Sequence, residues 1–133
     1  MDSKKLSQIN TTTLAYIGDA AYELAIRQML VESNPTTSGK AHNMAVRYVS
    51  SDGQSKAARK MCESGFLTED EEKLLKRARN HRASSRPQNA DPRNYKWATG
   101  FEALIGYLYL NEDDDRLKEV LAETVRIIRS KDE

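Results

Sequence analysis

The sequence predicts an all-α fold, and three observations carry that reading. Apolar residues recur at helical spacing along most of the chain. No stretch sustains the period-two alternation of a strand. The three prolines, Pro35, Pro87 and Pro92, fall in polar, turn-prone clusters between the periodic segments. A first helix is expected to start after Asn10–Thr13 and run to about Glu32, with Leu14, Ile17, Ala21, Leu24, Ala25 and Gln28 sharing one face. A second covers about Ser38 to Val49, with Ala41, Met44, Ala45 and Tyr48 on one side. The tetrad Ser50, Ser51, Asp52 and Gly53 interrupts it, a third piece spans Ser55 to about Glu63, and Gly65 stops that piece. Thr68 and Glu71 form a capping box for a helix through Leu74, Leu75 and Ala78. Asp91 followed by Pro92 is a carboxylate cap with proline at the first helical position, opening a helix that continues through Trp97 to Leu110. The last helix carries the stripe Leu117, Val120, Leu121, Thr124, Val125 and Ile128. The acidic run Glu112–Asp115 stands at its start, where carboxylates complement the helix dipole.

A chain of 133 residues accommodates one domain around one core, here residues 1–133, with about 1–10 as a flexible lead. No signal peptide is expected from the N-terminal residues, and no apolar run approaches the roughly 20 residues that span a bilayer. Cys62 is the only cysteine, which excludes an intrachain disulfide and fits a cytoplasmic protein. His42 and His81 are the only histidines and neither they nor Cys62 stand at zinc spacing. A Cys62–His42 nucleophile pair is weaker than the reading of Cys62 as a core thiol. Phosphate-binding glycine loops are absent, which disfavours nucleotide hydrolysis and dinucleotide binding.

The net charge of +1 conceals an asymmetry. Lys76 to Lys96 carries seven basic residues against the single acid Asp91, so this segment is +6 and the rest of the chain −5. Counterion release depends on local charge, so such a segment is an electrostatic footprint for nucleic acid, with a solvated charged loop as the alternative.

The informative anomaly lies in the two greasiest helices. LAYIGDAAYELAI (Leu14 to Ile26) carries Asp19 and Glu23 among apolar neighbours, and FEALIGYLYL (Phe101 to Leu110) carries Glu102 and no other charge. A carboxylate in such a helix costs several kcal/mol unless it is paired, protonated or bound to a cation. Facing helices of a bundle are a common place to assemble carboxylate metal sites, and oxygen-rich sites suit Mg²⁺ or its substitute Mn²⁺. Gly18 and Gly106 beside the acids point to close helix packing. The alternative is structural: Asp19 and Glu102 bonded to Arg27, Tyr16 or backbone amides.

LAYIGDAAYE (Leu14 to Glu23) resembles the signature helix of the ribonuclease III family, and FEALIGYLYL resembles that family's second catalytic helix. With KRARN (Lys76 to Asn80), the proline-containing loop after it and YKWATGFE (Tyr95 to Glu102), the chain is similar to the Mini-III branch, which lacks a separate double-stranded-RNA-binding domain. The resemblance covers about Asn10 to the last helix. It implies a dimeric, ribonuclease III-like helical bundle that hydrolyses double-stranded RNA to 5′-phosphate and 3′-hydroxyl ends. Asp19 and Glu102 would be the catalytic, metal-binding pair, with Mg²⁺ or Mn²⁺. It also implies a homodimer cutting both strands, a ribosomal RNA precursor (23S) as substrate, and no membrane partner. A ribosomal-protein partner cannot be read from the residues. Where the larger family carries two further acids, this chain has Ala15 and Thr99, a departure that follows the Mini-III pattern and thins the acidic cluster. Glu23, one turn from Asp19, is read as either structural or supporting the pair from behind. RNA contacts are expected from Arg77, Arg79, Asn80, Arg82 and Arg86, in or beside a basic loop at about 81–91. Two other classes remain: a noncatalytic RNA- or ribosome-binding helical module, and a protein-interaction domain with a structural acid pair.

Overall fold

The computed structural model describes residues 1–33, 37–81 and 91–130. Among these the chain forms α1 (Ser3–Ser7), α2 (Thr11–Ser33), α3 (Ser38–Val49), α4 (Ser51–Glu63), α5 (Glu69–Asn80), α6 (Pro92–Leu110) and α7 (Asp114–Arg129), and no strand. The helix starts follow the local chemistry. Asp91 caps α6 by accepting from the Arg93 and Asn94 amides, with Pro92 at the first position. Thr68 and Glu71 close the reciprocal capping box of α5. Gly65 takes φ +76 after α4, the left-handed turn that a Cβ resists. Ser50 alone makes the break between α3 and α4: it ends the first and caps the second through the Gly53 amide at 3.1 Å.

Two elements differ from expectation. Residues 3–7, expected as a loose lead, form α1, because Leu6 finds an apolar seat and is 3% exposed. The face of α2 that enters the core is also different. Leu14, Ala15, Gly18, Tyr22, Ile26 and Leu30 are buried, whereas Leu24 of the expected stripe is 66% exposed. A helix apolar on nearly every side has no unique moment, so only the arrangement of its neighbours selects the inward face.

The core is built on the α2–α6 pair, with α4 and α5 on other faces of α6, α3 on α2, and α7 closing against α4 and α6. Tyr22 and Phe101 meet edge to face with centroids 4.8 Å apart, and the Tyr22 hydroxyl donates to the Tyr48 carbonyl at 2.8 Å. The backbones of α2 and α6 approach so closely that a Cβ on Gly18 would lie 1.8 Å from the Glu102 carbonyl oxygen. One on Gly106 would lie 1.9 Å from that of Leu14.

Away from this contact, Arg116 of α7 clamps the start of α5. Its guanidinium donates to Glu71 at 2.7 and 2.8 Å and to the Phe66 carbonyl at 3.0 Å, and stacks on the Phe66 ring. The bidentate hydrogen bond from Arg116 holds the Glu71 carboxyl below the usual range, with the Thr68 amide adding to it. A depressed folded pKa contributes stability that is present above the unfolded value and is lost as pH falls through the folded one. Glu71→Ala is therefore expected to destabilise the protein by about 3 kcal/mol near pH 7, the scale of breaking a mostly buried pair. The gap to wild type should narrow below about pH 4. Urea unfolding at pH 7 and pH 3.5 checks this; an equal gap at both would remove the ionic contribution.

Candidate active site

Asp19 sits in the middle of α2 and Glu102 in the middle of α6, and the Gly18–Glu102 backbone contact fixes them opposite one another. The Asp19 carboxylate lies close enough for its charge to act on the Glu102 carboxyl. Glu102 is half-buried and Asp19 faces solvent, so the pair forms a site open on the α2 side rather than a sealed core acid. Burial, then the charge of Asp19 and its hydrogen bond, push the Glu102 carboxyl up to about 8, while the Gln54 side-chain amide pulls it part-way back. At neutral pH without a cation, Glu102 therefore holds a proton for the pair.

Among the described residues no ion pair joins Asp19 or Glu102 to a basic side chain. The Arg27 guanidinium, one candidate, pairs with Glu23 instead. Thr99, at one of the thinned positions, turns its hydroxyl back to the Tyr95 carbonyl at 2.9 Å, and Ala15 is buried. No cluster of three or more acidic, histidine or cysteine residues that could hold a metal ion exists among the described residues.

One residue joins the site without having been anticipated. Gln54, in the first turn of α4, is 2% exposed; its Nε2 donates to the Val49 carbonyl at 2.9 Å and its Oε1 has no hydrogen-bond partner. In sequence it stands in the polar run SSDGQS, which reads as a break, and a lone glutamine carries no signal of burial.

The described basic residues do not converge. Arg77 is exposed and borders a cleft with Leu6, Asp70 and Tyr107. Arg79 leaves the other side of α5, stacks on Trp97 at 4.6 Å and donates to the Asn80 side chain at 2.9 Å. Two residues along a helix differ by about 200° in direction, which separates them. Arg59, not singled out from the sequence, also lies over Trp97, at 5.4 Å, and bonds Ser55 and Asn94. Lys76 is paired with Glu72. Arg82 and Arg86 lie outside the described residues.

A carboxyl pair on two central helices fits a divalent cation. The donors are hard oxygens, and a cation would offset the burial and the like charge that push the Glu102 carboxyl up. The ribonuclease III domain profile matches residues 12–113, which contain both acids. The chain belongs to the ribonuclease III family. A protein of Enterococcus faecalis named Mini-ribonuclease 3 is 43% identical over 86% of this chain and 86% of its own length. One of the same name from Clostridium tetani is 40% identical over 92% of this chain and 80% of its own. A crystal structure of a Fusobacterium nucleatum protein superimposes with a TM-score of 0.77 at 26% identity, covering 90% of this chain and 93% of that one. The resemblance to the Mini-III branch thus holds, and the chain is an endoribonuclease of the ribonuclease III family acting on RNA. That family is generally metal-dependent. No helix of the described residues is long and apolar enough to cross a membrane.

Proposed function

We propose that this chain is a divalent-metal-dependent endoribonuclease that hydrolyses phosphodiester bonds in double-stranded RNA, leaving 5′-phosphate and 3′-hydroxyl ends. The observation that carries the reading is the Asp19–Glu102 pair, two carboxyl groups brought together across α2 and α6 with no basic partner among the described residues. Asp19 and Glu102 would hold Mg²⁺, or Mn²⁺ in its place. When bound, such a cation supplies an activated water and charge stabilisation for in-line displacement at phosphorus. Gly18 and Gly106 set the spacing of the two acids. Arg77, Arg79, Asn80, Arg82 and Arg86 are the proposed backbone contacts, since duplex RNA is gripped mainly through phosphates and 2′-hydroxyls. The splay of Arg77 and Arg79 implies that they reach different phosphates. Cytoplasmic maturation of a 23S ribosomal RNA precursor rests on the family resemblance alone.

Incubating labelled duplex RNA with the protein in Mg²⁺ or in EDTA tests the reading. Cutting in Mg²⁺ and none in EDTA is expected. Retention of RNA without cutting would favour a noncatalytic RNA-binding module, whose support is the loss of acids at Ala15 and Thr99.

The proposal includes a homodimer. Tyr16, Leu24 and Tyr109 are 82%, 66% and 51% exposed, and Leu24 and Tyr109 border an apolar cleft with Ile17, Ala21 and Leu121. Small residues along α2, such as Ala20 and Ala25, permit close approach, and an isologous two-fold contact is the usual way to cover such a face. Light scattering at micromolar concentration is expected to give twice the 15.1 kDa chain mass. A monomer mass would remove paired strand cutting.

A further inference from the structure

We propose that Arg59 of α4 and Arg79 of α5, stacked on the Trp97 ring of α6, form a phosphate site that grips the duplex RNA away from the bond being cut. The inference rests on the double-stranded-RNA reading above and goes beyond it by adding Arg59 and Trp97 to the grip.

Nothing in the sequence marks Arg59, which stands in α4 outside the basic segment Lys76–Lys96. Packing of α4 and α5 on α6 brings it there. Two guanidiniums from different helices reach one indole, Arg79 at 4.6 Å and Arg59 at 5.4 Å from the ring centre. Stacking on a ring leaves the N–H groups at the edge of a guanidinium free to donate. Arg59 uses Nε on the Ser55 hydroxyl at 3.1 Å and one Nη2 hydrogen on Asn94 Oδ1 at 3.4 Å. Its Nη1 group meets no acceptor among the described residues. Arg79 uses Nε alone, on the Asn80 side chain at 2.9 Å. Both guanidiniums are thus held in place with donors to spare.

Neither charge is neutralised. No ion pair among the described residues includes Arg59 or Arg79. Two acids near this face are engaged elsewhere: Glu72 pairs with Lys76, and Asp52 accepts from the Asn94 amide at 2.6 Å. Between Glu72 and Asp91 the sequence has no acid at all. Two like charges on one ring repel each other, and an anion that meets both relieves this. Guanidinium forks match phosphate oxygens, and forks already fixed by stacking lose little freedom on binding.

Position selects the anion. Arg79 and Asn80 end α5 where the basic segment leaves it, and Asn94 and Trp97 lie at the start of α6 where it returns. Arg59 therefore stands at the root of that segment. Trp97 precedes Glu102 by five residues, about 7.5 Å along the helix and about 140° around it. A backbone phosphate held here is not the scissile one.

The test is the affinity of the full-length protein for a short blunt RNA duplex at several salt concentrations, in EDTA so that nothing is cut. Wild type is compared with Arg59→Gln, Arg59→Lys and Lys60→Gln, since Lys60 is an exposed cation beside Arg59 on the same helix. Arg59→Gln is expected to weaken binding by about tenfold, the scale of a charged hydrogen bond, and to lower the salt slope by roughly 0.9, the value for one phosphate contact on duplex DNA. Arg59→Lys, which keeps the charge and gives up the fork, is expected to keep the wild-type slope, and Lys60→Gln to match wild type throughout. An Arg59→Gln protein that behaves like Lys60→Gln overturns the proposal. Weaker binding with an unchanged slope also overturns it, because Arg59 would then only brace the root of the segment. If glutamine loosens the helices, wild type itself serves. Trp97 is the only tryptophan, so its emission reports the site. Duplex RNA is expected to change that emission saturably, and no change overturns the proposal. Inorganic phosphate at matched ionic strength is expected to leave it unchanged, and equal saturation by free phosphate overturns the duplex as occupant. Failure of wild type to bind duplex RNA, in EDTA or in Mg²⁺, defeats the double-stranded-RNA reading, and this proposal with it.

Discussion

Asp19→Asn and Glu102→Gln are each expected to reduce cleavage of duplex RNA by about a thousandfold or more while leaving the fold intact. Stabilisation of transition-state charge by a bound cation amounts to several kcal/mol, and each 1.36 kcal/mol is a factor of ten in rate. Asp19 and Glu102 are the two carboxyl groups proposed to hold it. Both substitutions preserve volume and hydrogen-bonding capacity, so packing against Gly18 and Gln54 should persist. Stability should move opposite to activity. Glu102 has a folded pKa raised to about 8, chiefly by burial. Stability from such a group is fully present below its unfolded pKa near 4.5 and is lost as pH rises through the folded value. Glu102→Gln removes that loss, so its melting temperature at pH 8.5 is expected to exceed that of wild type. Single-turnover cleavage and thermal melts on each variant decide the matter. Near-normal cutting by either, or a Glu102→Gln protein that melts earlier at pH 8.5, would contradict this account of the site.

The second large effect is expected at Gly106, or equally Gly18. Alanine in a helix interior ordinarily gains about 1 kcal/mol over glycine. Here the added carbon would fall 1.9 Å from the Leu14 carbonyl, or 1.8 Å from that of Glu102, and backbone cannot turn aside as a side-chain tip can. The two central helices would have to separate. Gly106→Ala is therefore expected to lower stability by about 3 kcal/mol or more, at the upper end for overpacking, and to weaken metal binding with it. Gly39→Ala is the control: nothing lies within 4 Å of a Cβ there, so it should be neutral or slightly stabilising. Denaturant melts with a Mn²⁺ titration distinguish the outcomes. A Gly106→Ala protein as stable as Gly39→Ala would mean that the helices can part without consequence.

The capping box at Thr68, the Asp91–Pro92 start and the stop at Gly65 were legible because caps are local: a few neighbouring residues satisfy or forbid a handful of backbone groups. Asp19 and Glu102 were legible for a related reason, since a carboxylate in an apolar helix stands out against its own neighbours whatever the fold. The sequence by itself therefore determined the helical class, most helix ends and the two acids. The inward face of α2 was decided only in three dimensions, because an apolar helix offers several faces and its neighbours choose among them. So was the burial of Gln54. Glutamine is ordinarily a solvent-facing residue, and its burial follows from the docking of α4 on α6, a long-range contact with no periodic trace in the chain. The separation of Arg77 from Arg79 lies between these cases: their angle follows from helix geometry alone, but the Trp97 ring that receives Arg79 is brought to it by packing of α5 on α6.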